Sequence, residues 1–128
     1  MTVSAFMSVS LDPPLISIAL GRGSKMQGKI RKSGRYAVNV LTAHMRPHAL
    51  HFAGRPDATL TDLFQERQGL PVLRGAAAVL VADVVQQIDA GDHVLFLGQV
   101  QELERDPEAA PLLYHGGQFC NFAVSPTG

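Results

Sequence analysis

Along the first stretch of the chain the hydroxyls of Thr2, Ser4, Ser8 and Ser10 fall on even positions, while Val3, Ala5, Met7 and Val9 fall on odd ones. Strand side chains alternate between faces, so this pattern predicts a strand with one donor-rich face and one apolar face. Pro13 and Pro14 cannot donate to a ladder, which ends that strand by Asp12 and lets a short apolar strand run from Leu15 to Leu20. Ser24 followed by Gln27 has the spacing of a capping box, and Gly34 supplies a left-handed stop, predicting a helix from Lys25 to Ser33. Tyr36 to Leu41 is β-branched and aromatic apart from Asn39, as a strand is. A second helix is expected from Arg46 to Phe52, with Pro47 in its first turn and Gly54 beyond its end. Thr61 to Gln68 is expected to form a further short helical piece. Ala76 to Ile88 and Val94 to Leu103, separated by Asp89-Ala90-Gly91-Asp92, read as a long hairpin. Leu112 to His115 and Gln118-Phe119 read as a last strand bent at Gly116-Gly117, and the tail from Ser125 to Gly128 is expected to fray. Six strands with two or three short helices predict a mainly β protein, an antiparallel barrel plugged by helices.

Length and charge narrow the class. The 128 residues suit one domain, 1–128, and the eleven basic and eleven acidic side chains cancel. That balance argues against a nucleic-acid partner or a polybasic membrane anchor, and no apolar run approaches the roughly twenty residues of a membrane helix. Cys120 is the lone cysteine, so neither an internal disulfide nor a thiolate metal cage can form within one chain. A soluble, cytoplasmic protein with a small or proteinaceous partner is the expectation.

The helix start after Gly21-Arg22-Gly23-Ser24-Lys25 is the first candidate site. Unpaired N–H groups and a partial positive charge there favour an anion, with Arg22 adding a bidentate fork, so a phosphate fits. The other basic residues, Lys29, Arg31, Lys32 and Arg35, read as a solvated helix face. His44, His48 and His51 have helical spacing, yet Pro47 sets the helix start after His44 and no carboxylate completes a set; no metal is expected. Cys120, beside Phe119 and Phe122, reads as a small core side chain, and Asn39 as a buried hydrogen-bonding residue with a ligand contact as the lesser option.

The runs T-V-S-A-F-x-S-V-S-L-D-P-P-L, S-x-x-x-x-I-x-x-S-G-R-Y-A-V-N-V-L, A-G-D-H-x-L-F-L-G-x-V and P-L-L-Y-H-G-G, in that order across nearly the whole chain, resemble the flavin reductase family of the FMN-binding split barrel. The resemblance implies an antiparallel split β-barrel, a homodimer, and reduction of FMN or FAD by NADH or NADPH. In many members the reduced flavin passes to a separate monooxygenase. It further implies that Thr2, Val3, Ser4 and Ala5 hold the flavin ring edge and ribityl chain, and that Arg22, Ser24 and Lys25 receive the phosphate. His93 would stand near the flavin face where the nicotinamide docks, and Tyr114 and Gly116 would close the pocket. Family members begin some tens of residues earlier with a helix and a T-V-V-T strand, so the first strand of the usual barrel is expected to be missing, leaving an open edge. Gly23 and Met26 replace hydroxyl residues common around the family's phosphate, which implies weaker hold on it. A non-catalytic flavin-binding or flavin-storing protein of the same fold is the alternative.

Overall fold

In the computed structural model, which describes residues 1–121, the first two apolar runs fold back on each other as β1 (Phe6–Leu11) and β2 (Pro14–Gly21). Pro13 lies in the turn and Pro14 opens β2, so neither interrupts the ladder. There follow α1 (Lys25–Ser33), β3 (Arg35–Val40), α2 (Arg46–Phe52), β4 (Phe64–Arg67), β5 (Leu70–Leu73), β6 (Ala78–Ala90), β7 (His93–Arg105), β8 (Leu112–His115) and β9 (Gln118–Asn121). The protein is mainly β, and its pairings are antiparallel. One five-stranded sheet has the order β1-β2-β7-β6-β3, and β4-β5 and β8-β9 are separate hairpins. Among the described residues β1 and β3 remain edges, and the sheet does not close on itself.

Registry builds the core. Ile18 lies opposite Phe96 and Leu20 opposite Val94 across β2 and β7, and these four are buried together with Ile16, Ile30 of α1, Tyr36 of β3 and Ala82 of β6. The Tyr36 hydroxyl donates to the Phe96 carbonyl at 3.0 Å, which satisfies a polar group that burial would otherwise penalise. A second set of buried side chains includes Met45 and Ala49 at α2, Val72 and Leu73 of β5, and Val79 and Val81 of β6. Asn39 Oδ1 accepts the Leu73 N–H at 2.9 Å and fastens β5 to β3, so the expected hydrogen bond forms, at a residue that is half-buried rather than buried.

Several expectations are corrected. Thr61 to Gln68 is not helical: β4 pairs with β5 across Gln68 and Gly69, both at positive φ. The described residues hold nine strands rather than six. Gly116 and Gly117 do not bend one strand but join two, at φ of 60° and 78°, values that a two-residue hairpin turn requires and glycine adopts without steric cost. Residues Thr2 to Ala5 precede β1, and a register shift between Ser8 and Ser10 breaks the even-odd alternation, so the hydroxyls do not share one strand face. Cys120 is exposed on β9, not in the core. Phe122 and the tail from Ser125 lie outside the described residues. No helix among those described is long and apolar enough to cross a membrane.

Candidate functional site

The segment before β1 is held in place by long-range hydrogen bonds. Thr2 donates its N–H to the Phe52 carbonyl at 3.1 Å and its hydroxyl to the Ala49 carbonyl at 2.6 Å, so the chain start is tied down on α2. At the other end the Ala19 N–H donates to the Ala5 carbonyl at 3.1 Å, docking the segment on β2. Between these ties, the N–H groups of Val3, Ser4 and Ala5 have no acceptor among the described residues. These residues border a cleft of about 240 Å³ lined by Met1 to Ala5, by Ala19, Leu20 and Gly21 of β2, and by His93.

His93 arrives from the opposite direction. It opens β7, pairs with Gly21 across the sheet, and faces Ala90 across the Gly91-Asp92 turn. Its Nδ1 lies 2.7 Å from Asp92 Oδ1. A carboxylate only accepts, so Nδ1 carries the hydrogen and Nε2 remains for other partners. The hydrogen bond from His93, and then the charge of its ring, hold the Asp92 carboxyl below the usual carboxylate range.

The start of α1 adjoins the same cleft through Met1. The Ser24 hydroxyl accepts the Met26 N–H at 3.2 Å, capping α1, and itself donates to Met1 Sδ at 3.4 Å. The reciprocal half of the capping box does not form. Gln27 is buried and donates from Nε2 to the carbonyls of Gly21 and Arg22, both at 3.3 Å, tying the loop to the helix. No acidic residue occupies the first turn of α1, and Lys25 there is exposed. Burial first, and then the charge of Lys29, lower the pKa of the Met1 amino group. Lys29 itself is exposed, in keeping with its expected place on a solvated helix face.

The structure therefore brings Thr2, Val3, Ser4, Ala5 and His93 together around one cleft, with Ser24 against Met1 at its margin. Arg22 is turned away from the helix start: its Nε donates to the Gly91 carbonyl at 2.7 Å and its Nη2 lies 3.4 Å from Asp89 Oδ1. Tyr114 and Gly116 are not among the cleft's lining; they sit on the β8-β9 hairpin, where the Tyr114 ring packs against Phe119 at 5.1 Å. Of the three histidines near α2, His44 precedes the helix and His51 Nδ1 accepts the Asp57 N–H at 2.8 Å. No cluster able to hold a metal ion occurs among the described residues.

Comparison with known proteins identifies the family. The model of the flavin reductase like domain matches residues 1–123. An NADH-dependent flavin reductase of Rhodococcus sp is 41% identical over 119 residues, spanning 93% of this chain and 67% of the relative. The reductase component of 4-hydroxyphenylacetate 3-monooxygenase from Thermus thermophilus is 34% identical, spanning 89% of this chain and 72% of the relative. The native-state structure of the flavin reductase PheA2 superposes with a TM-score of 0.90 at 38% identity, covering 95% of this chain and 79% of that one. With that family model matched across residues 1–123, this chain belongs to the flavin reductase like domain family.

Proposed function

We propose that the protein is an NADH-dependent flavin reductase that takes FMN or FAD into the cleft between residues 2–5 and His93. The observation that carries this reading is that Val3, Ser4 and Ala5, whose N–H groups have no acceptor among the described residues, line one cleft together with His93. Fixed backbone donors of this kind suit a ring edge that gains electron density, because they stabilise the developing charge without having to reorganise. The bound flavin itself supplies the hydride-accepting chemistry. The chain's task is to hold the ring against these donors, to keep His93 at the mouth where the nicotinamide docks, and to receive the phosphate at Ser24, Lys25 and the amides of α1. The relatives support NADH as the donor, since the Rhodococcus protein is named NADH-dependent. The Thermus relative supports a separate monooxygenase as the consumer of reduced flavin, since it is named as such a component.

The same reading includes a homodimer. At about 240 Å³ the cleft falls short of the roughly 300–1,000 Å³ that enclose a whole small-molecule ligand. A second copy completes the enclosure, with Tyr114 and Gly116 on the outlying hairpin serving its partner's cleft. The decisive test is anaerobic mixing of protein, flavin and NADH, followed at the flavin absorbance. Bleaching well above the protein-free background is expected. A bound flavin that stays oxidised would mark a non-catalytic flavin carrier instead. Ser24→Ala should weaken FMN binding about fivefold, corresponding to a hydrogen bond of about 1 kcal/mol, and leave riboflavin, which lacks the phosphate, unchanged. Equal loss for both ligands would remove Ser24 from the phosphate site.

A further inference from the structure

We infer that Arg22 is a positioning residue for His93: it fastens the tip of the β6-β7 hairpin to the end of β2 and thereby sets where the imidazole stands at the cleft. The inference rests on the reductase reading of that cleft and adds to it a role for a side chain whose residue type and position suggest a phosphate ligand.

Three contacts from this one residue converge on the turn. The Arg22 N–H donates to the Asp92 carbonyl at 3.0 Å, Nε donates to the Gly91 carbonyl at 2.7 Å, and Nη2 lies 3.4 Å from Asp89 Oδ1. Gly91 and Asp92 form the two-residue turn that delivers His93, Asp89 lies just before it, and Asp92 is in turn bonded to His93 Nδ1 at 2.7 Å. The chain of contacts thus runs from the end of β2 through the turn to the imidazole. Its parts differ in strength. The Arg22–Asp89 pair is long and both side chains are largely exposed, so it adds little. The Nε bond to Gly91 is short and charge-assisted, the stronger kind, and it grips backbone, which a turn cannot rotate away as it can a side chain. Without it, the turn before His93 is held by the Arg22 backbone bond to the Asp92 carbonyl and by the ladder pairing of His93 with Gly21 and Ala90, with no side chain gripping its tip from β2.

A misplaced imidazole costs reactive geometry more than it costs flavin affinity, because orientation contributes to the rate while ring and phosphate contacts lie elsewhere in the cleft. For Arg22→Ala we expect kcat/KM for NADH to fall about tenfold, with the dissociation constants for FMN and for riboflavin both within twofold of wild type. In flavin-free protein, 15N relaxation should show increased mobility confined to the amides of Gly91, Asp92 and His93. Asp89→Ala, which removes only the long ion pair, should change each readout less than twofold. Selective loss of FMN over riboflavin would assign Arg22 to the phosphate and overturn the inference, as would unchanged amide relaxation. If Arg22→Ala does not fold, Arg22→Lys carries the same test: a lysine cannot reproduce the planar Nε donation, so amide mobility should rise, and wild-type rigidity would overturn the inference. Should the wild-type protein fail to oxidise NADH, the reductase reading falls, while the relaxation measurement still decides the fastening on its own.

Discussion

Burial of the Tyr36 ring pushes its phenol up to about 12, so the fold keeps the neutral hydroxyl that donates to the Phe96 carbonyl. An unfolded tyrosine ionises near pH 10. Because the folded value is the higher one, the contribution is complete below about pH 10 and is lost as pH rises toward 12. Tyr36→Phe should therefore destabilise the protein by about 1–2 kcal/mol at neutral pH, read by urea unfolding, since it leaves the buried Phe96 carbonyl without that donor. The gap between wild type and Tyr36→Phe should close between pH 10 and 12. A gap that stays constant across that range would show that the hydroxyl is not the buried donor described here. At this scale the sequence marks Tyr36 only as a strand aromatic; that its hydroxyl reaches β7, sixty residues on, depends on the registry of three strands.

Among the elements, β7 is shaped by a glycine. A Cβ at Gly98 would stand 2.5 Å from Tyr36 Oη, 2.8 Å from its Cζ and 2.9 Å from the Ala82 Cβ. The ring is rigid and packed, so Gly98→Ala should cost about 1–3 kcal/mol in thermal or urea unfolding by forcing Tyr36 off Phe96. Gly28 offers the contrast: it lies in the middle of α1 with open space where a Cβ would go, and Gly28→Ala should stabilise by about 0.5–1 kcal/mol. Equal effects from the two substitutions would refute the close approach at Gly98. The helices were legible because their signals are local. Ser24 and Gly34 bracket α1, and Pro47 sits at the start of α2, so both ranges were read from the chain as observed. The β4-β5 hairpin was not. Its strands are only four residues each, it turns at Gln68-Gly69, and it is secured by Asn39 from a distant strand, leaving Gly69 as the one nearby hint of a turn.

For the molecule as a whole, β1 is a sheet edge, unpaired on one side among the described residues, that carries exposed apolar side chains. Met7, Val9 and Leu11 are 58%, 46% and 96% exposed on a sheet edge. Edges of this kind pair with other chains unless charge or shape prevents it, which fits the proposed homodimer. Val9 falls at the register shift, where a lysine disturbs no paired position. Val9→Lys should raise the dimer dissociation constant by at least tenfold in sedimentation velocity while the monomer's melting temperature stays within a few degrees. A wild-type protein that remains monomeric with flavin bound would remove the homodimer from the proposal.

The residues alone determined both helices, the long hairpin, the ordered motifs of the family, and the grouping of residues 2–5 with His93 that those motifs imply. The helices and the hairpin depend on periodicity, caps and turn residues, whose influence extends over a few neighbours along the chain, whereas the grouping of residues 2–5 with His93 followed only from the family resemblance. Only the tertiary structure decided what each donor faces. Arg22 meets Gly91 across 69 positions and Thr2 meets Ala49 across 47, because strand registry brings the ends of β2 and β7 together and hydrogen bonds to α2 anchor the chain start. Spacing cannot encode such meetings, since the energy that selects them comes from packing the sheet and helices against one another.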